Sequence, residues 1–298
     1  MVLMKYICRM TGKKLEFKSK AEYDAHLARF GVSMRDRSRR ARSDVSRHTS
    51  LRSEKHTGGL RFITPARDDV PCPSNHVKQK FSIIHSSRGR VRGSWNCIMT
   101  WMGLMSPYNE MEYILSLDRD DSMKYMRVVE RAVGRIKLKV VIGSNSNVVQ
   151  ALNRGACQAT GDVLLYVSDD FLCPSNWDLE IQKAVKDRGD DWFLLVNDGI
   201  QQKTATLLIE SRKYYDRFGY MYYPDYISMW ADPDATEVAR RSGKLIDATG
   251  TLLFKHNHYS IGGLPVDATY LKENSSKAWT HGENLYLQRE KDNFGVKV

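Results

Sequence analysis

Cysteine is scarce and scattered: Cys8, Cys72, Cys97, Cys157 and Cys173 are the five in a chain of 298 residues. So small and odd a set excludes a disulfide scaffold and reads as reduced thiols in a cytoplasmic protein. Cys8 and His26 do not complete a zinc-finger spacing. Long apolar runs are missing too, and no stretch approaches the roughly 20 residues of a membrane span. The opening MVLMKYICRM is charged too soon for the apolar region of a secretory signal. Glycine (20) and proline (8) are too few for a collagen-like chain, and 42% hydrophobic residues exclude wholesale disorder. No Walker motif and no G-x-G-x-x-G occurs, so the usual phosphate loops are absent.

Negative charge is short in one part of the chain only. Residues 1–80 carry 19 Lys/Arg against 8 Asp/Glu, while residues 81–298 carry 27 of each. The whole net charge of +11 therefore lies in the first quarter. The pattern is a basic arm on an electrically balanced body.

Four regions follow. Residues 1–33 read as a small N-terminal module. Ser19 and Glu22 form a capping box, Tyr23, Leu27 and Phe30 share a helical face, and Gly31 stops the helix. Residues 34–80 read as a basic flexible arm, because the Arg/Ser-rich stretch 34–59 cannot bury enough surface to offset its ordering entropy. Residues 81–265 alternate strands and helices. FSIIH, EYILSL, IKLKVVIG, DVLLYV and WFLLVND are the strands, with helices expected near residues 95–102, 122–133, 147–159 and 177–188. This alternation predicts an α/β fold with a mostly parallel, Rossmann-like sheet flanked by helices. Residues 266–298 read as a C-terminal helical extension.

In such a sheet the ligand site lies at the carboxyl ends of the strands. Those ends carry Ser86–Arg88, Asp118 with Asp120 and Asp121, Ser144–Asn147, and Asp169–Asp170. The adjacent pair Asp169–Asp170 fits a hard divalent cation shared with substrate phosphates; an exposed, capping turn is the plainer reading. Asp232, Asp234 and Glu237 form a third acidic group, in which Asp234 is either a helix cap or a general base. His256 and His258 lie on one expected strand, and at most one of them is expected to face a given site. Of the aromatics between Tyr214 and Trp230, at least half are expected to pack the loop onto the sheet. The others could stack on a sugar or a base.

The stretches FSIIHSSRGR, EYILSLDRDD, NVVQALNRGACQATGDVLLYVSDDFLCPSNWD and GYMYYPDYISMWADPDATEVARRSGKLIDA resemble family 2-like glycosyltransferases with a GT-A fold. Asn153-x-Gly155, Gly161-Asp162 and Ser168-Asp169-Asp170 match the family's pattern, although S-D-D replaces a full D-x-D. The resemblance covers about residues 81–260 and implies a nucleotide-sugar donor, first a UDP-sugar, and a divalent Mn²⁺ or Mg²⁺. It implies donor contacts from Ser86, Arg88, Asp118, Asn153 and Asp169. Asp170 becomes a metal ligand, joined by His256 or His258. The catalytic base is Asp234 or Asp232, with Asp234 the first choice. A single displacement by the acceptor hydroxyl would invert the sugar's configuration.

The basic arm suggests a nucleic-acid partner. That points to a hydroxymethylated base in DNA as acceptor, as in phage-type DNA modification in a bacterial host's cytoplasm. A cell-envelope glycan is the alternative acceptor. A nucleotidyltransferase and a non-catalytic nucleic-acid-binding protein are the readings from other classes.

Overall fold

The computed structural model describes residues 72–144, 147–258 and 266–296, with the short strands β1 (Met4–Tyr6) and β2 (Leu15–Phe17). The chain divides into two units, Met1–Arg61 and Phe62–Val298. In the first, β1 pairs antiparallel with β2. The helix expected after Ser19, the basic stretch 34–59 and residues Asn145 and Ser146 of the polar loop lie outside the described residues.

The second unit is built on β3 (Lys80–Ser87), β4 (Glu110–Asp118), β5 (Lys137–Gly143), β6 (Val163–Val167), β8 (Phe193–Leu195), β9 (Ile209–Ser211) and β10 (Leu245–Asp247). They form one sheet in the order β10-β8-β9-β6-β3-β4-β5. Neighbours are parallel except at β9, which runs antiparallel to both β6 and β8. This agrees with the expected mostly parallel sheet. The three-residue strands β9 and β10 are not among the strands expected from the sequence.

Both faces of the sheet are covered, which explains its nearly continuous apolar strands. Val163, Leu165 and Val167 of β6 join Phe81, Ile83, Trp101, Trp177 and Phe254 on one side. Leu164 and Tyr166 join Ile84, Val149, Leu152 and the aromatic segment on the other. Helix α1 (Val91–Gly103) follows β3, α2 (Met126–Ala132) follows β4, and α3 (Val148–Ala156) follows β5. The α3 N-cap is Asn147, whose side chain accepts from the Gln150 N–H. The glycines of the two sequence motifs are close-approach positions. A Cβ on Gly155 would lie 2.8 Å from Ile84, and one on Gly161 would lie 2.6 Å from the Lys80 carbonyl.

Chain order reverses at β3: β4 and β5 lie to one side and β6 to the other. A crevice opens where strand order reverses in this way. Beyond it, α4 (Trp177–Ala184), α5 (Arg212–Asp216) and α6 (Ala231–Arg241) complete the body, followed by α7 (Ala268–Glu273) and α8 (Ser276–Lys291). A separate two-stranded ribbon pairs β7 (Phe171–Leu172) with β11 (Lys255–His256), setting His256 opposite Phe171. Cys72, Cys97, Cys157 and Cys173 are free thiols. Among the described residues no helix is long and apolar enough to cross a membrane.

Candidate active site

A cleft of about 170 Å³ lies at the carboxyl ends of β3, β4 and β6. Ser86, Arg88, Asp118 and Asp169, four of the expected donor contacts, line it together with Tyr166 and Asn147. Arg88 donates to Asp118 and, in a fork, to both oxygens of Asp120 at 2.8 and 2.6 Å. Those hydrogen bonds raise the guanidinium above its ordinary value. Asp169 is nearly buried and its oxygens accept from Ser87 (2.9 Å) and Ser94 (2.8 Å), with His85 Nε2 at 3.1 Å.

Asp170 turns to the neighbouring ribbon. It accepts from Ser168 Oγ, and its Oδ2 lies 3.3 Å from His256 Nε2. The other ring nitrogen, Nδ1, faces Asp198 Oδ2 at 3.7 Å. The imidazole stacks on Phe171, with centroids 4.3 Å apart. Burial alone would lower the His256 pKa, but hydrogen bonds and charge from Asp170 and Asp198 outweigh it and lift it to about 9. In the same way burial opposes ionisation of Asp170 and Asp198, yet His256 and nearby donors bring both carboxyls down to about 2. Among the described residues no group of three or more His, Cys, Asp or Glu is arranged to hold a metal ion by itself.

His258 departs from expectation. Residues two apart on extended backbone share a face, and the two rings lie 5.0 Å apart instead of facing opposite ways. Burial and the adjacent His256 charge hold His258 below its usual value.

The two candidate bases separate. Both lie in the first turn of α6. Asp234 is buried and accepts from Arg289 Nε at 2.6 Å, Arg289 Nη2 at 3.2 Å and the Tyr226 hydroxyl at 3.0 Å. That carboxylate is committed to an internal ion pair, which corrects the choice of Asp234 as base. Asp232 is half-buried, and its carboxyl feels the charges of Asp198 and His256. Burial, the largest influence, pushes it up to about 6.

Asn153 is a second correction. Its Nδ2 donates to the Tyr222 carbonyl at 2.6 Å, and its Oδ1 accepts from the Met221 and Tyr222 N–H groups. At about 100° per helical residue, Asn153 points away from the face of α3 that brings Val148 and Ala151 to the cleft. It braces the aromatic segment instead of touching the cleft. Within that segment Tyr214, Tyr215, Tyr222 and Tyr226 are buried in the core, in agreement with the packing expectation.

Asp198 was missed as a site residue, although it closes the strand WFLLVND as Asp118 closes its own. Also missed were Arg90 and the residues of α7 that line the cleft.

No protein-family model matches the sequence, and the search of curated proteins returns no match. Among solved structures the chain is similar to S. aureus TarS, at 17% identity over 59% of this chain and 36% of that one, with a TM-score of 0.47. It is similar to S. aureus TarS 1-349 in complex with UDP-GlcNAc, at 15% identity over 73% of each chain and a TM-score of 0.46. It is also similar to the mannosyltransferase PcManGT from Pyrobaculum calidifontis in complex with GDP-Man and Mn²⁺. There the identity is 12% over 75% of this chain and 78% of that one, with a TM-score of 0.48. The chain spans about a third of the length of the first of these. Likeness at this level assigns no role to any residue here.

Proposed function

We propose that this protein is a metal-dependent glycosyltransferase that moves a sugar from a nucleotide-sugar donor to an acceptor hydroxyl. The observation that carries the reading is the cleft at the strand-order reversal, lined by Ser86, Arg88, Asp118 and Asp169, with the Asp170–His256 pair one residue beyond that last carboxylate.

The residues present fit a divalent cation. One carboxylate and one imidazole come within 3.3 Å of each other, and the far nitrogen of the imidazole faces a second carboxylate, Asp198. Mg²⁺ and ions like it are held by one or two protein ligands together with substrate phosphates. A carboxylate behind the histidine is the usual support for a ligating ring. Asp170 and His256 would hold the ion. When bound, it supplies positive charge to the departing diphosphate.

The chain's own residues do the rest. Ser86, Arg88, Asp118 and Tyr166 receive the nucleoside end of the donor in the cleft. Asp232 takes the proton of the acceptor hydroxyl as that oxygen attacks the anomeric carbon. The bond from that carbon to the diphosphate oxygen breaks, its electron pair leaves on the nucleoside diphosphate, and configuration inverts. A base with a pKa near 6 is ionised at neutral pH and still basic enough to accept that proton.

The excess of Lys/Arg in residues 1–80 supports an acceptor carried on a polyanion, with a hydroxymethylated base in DNA as the first class to test. A cell-envelope glycan is the second. The test is a donor screen with Mn²⁺, with and without hydroxymethylated DNA or glycan. UDP-GlcNAc and GDP-Man, the donors in the TarS and PcManGT complexes, head the panel. Metal-dependent release of the nucleoside diphosphate is expected. Pyrophosphate release from a nucleoside triphosphate identifies a nucleotidyltransferase instead. DNA binding with no release of either leaves a non-catalytic binding protein.

A further inference from the structure

Helix α7 forms one wall of the cleft, to which it brings Thr269, Tyr270, Lys272 and Glu273. Yet it buries no residue of its own, and Leu271 is 64% exposed. A six-residue helix is too short to be stable by itself. Beside the contact of its Tyr270 ring with His258, centroids 5.7 Å apart, polar contacts position it. Arg90, at the start of α1, donates in a fork to Asp267, with Nε–Oδ2 at 2.6 Å and Nη2–Oδ1 at 3.0 Å. The same carboxylate caps α7 by accepting from the Tyr270 N–H at 2.7 Å. Other ties join it: Thr269 Oγ1 donates to the Arg88 carbonyl at 3.3 Å, Ser228 Oγ donates to the Glu273 carbonyl, and the Glu273 carboxyl accepts from the Val148 N–H.

Arg90 also lines the cleft, and its charge acts on Asp169 and Asp170. One guanidinium thus connects the acidic pair to the opposite wall. A forked, charge-assisted pair fixes direction as well as distance, whereas the single hydroxyl contacts of Thr269 and Ser228 fix neither tightly.

We propose that Arg90 and Asp267 are a positioning pair that pins α7 as a wall of the donor site and so sets affinity for the nucleoside diphosphate. The inference rests on the donor reading above. It makes α7 part of donor binding, with uniform effect on ground and transition states, and predicts a change in KM with little change in kcat.

The experiment compares wild type, Asp267→Asn and Asp267→Glu. Hydrogen exchange is followed across residues 268–273 and across β3 and β6, and binding of UDP and of GDP with Mn²⁺ is measured by calorimetry. Asp267→Asn is expected to speed exchange in 268–273 by about tenfold, with β3 and β6 unchanged. Its Kd for the nucleotide, and its donor KM, should rise by about threefold to tenfold, while kcat stays within about twofold. Asp267→Glu, which keeps the charge, should recover most of the affinity. Faster exchange with unchanged Kd overturns the inference, because α7 would then be pinned without serving the donor. Unchanged exchange overturns it as well. Wild type that binds neither nucleotide sinks the donor reading and the inference together, whereas tight binding that is the same in all three proteins sinks the inference alone.

Discussion

Arg289 reaches from α8 to grip Asp234 with two nitrogens, at 2.6 and 3.2 Å, and the same guanidinium lies 3.6 Å over the Tyr223 ring. Both partners are largely buried, at 12% and 2% exposure. Burial opposes charge on Arg289, but the hydrogen bonds and charge of Asp234 hold it above its ordinary value. Asp234→Asn leaves a buried guanidinium half-paired and should cost about 3 kcal/mol of stability. Its folded fraction should turn over normally. Asp232→Asn should do the reverse, with no fall in Tm at neutral pH and a loss of roughly 10²–10⁴ in kcat. Thermal melts beside initial rates check both; an inactive but fully stable Asp234→Asn protein reverses the assignment.

The acid limb of activity follows from Asp232. Its carboxyl is raised from 3.8 to about 6, chiefly by burial. As a base it must be ionised, so kcat/KM should rise with pH through about 6 and level off above it. An Asp232 carboxyl that titrates near 4 in the folded, metal-free protein contradicts the role.

Asp170→Asn should abolish metal-dependent turnover and weaken Mn²⁺ binding, with the fold intact, since it takes away the carboxylate that faces His256 Nε2. Calorimetric Mn²⁺ titration in the presence of UDP, paired with rates, is the measurement. Normal turnover by this variant excludes Asp170 as a ligand.

Glu210 presents a separate case. It sits in β9 at 1% exposure, and its Oε1 has no hydrogen-bond partner among the described residues. Burial pushes its pKa well above 4.5, against the weaker pull of Arg212. The folded state therefore holds this proton more tightly than the unfolded one. Stability is lost as pH rises above the unfolded value near 4.5 and continues to fall until the folded pKa is passed. Glu210→Gln removes that penalty. Relative to wild type, the variant should gain about 1–3 kcal/mol between pH 5 and pH 8. Equal denaturant midpoints for the two proteins across that interval contradict the account.

The sequence by itself determined the alternation of strands and helices from Phe81 to the strand WFLLVND. Each of those segments is long enough to show its own period. It also determined that Ser86, Asp118 and Asp169 share one edge, because right-handed crossovers leave no other place for residues that end parallel strands. Only the tertiary structure decided between neighbours. Asp232 and Asp234 are equivalent as letters, and what separates them is an arginine 55 residues further along that claims one of them. His256 is singled out from His258 by a two-residue ribbon with β7, which brings it to Asp170 across 86 positions of chain. Asn153 sits in the expected motif but was turned inward by the phase of its helix. Pairings of this kind depend on distance in space and on competition among partners, neither of which leaves a local pattern in the chain.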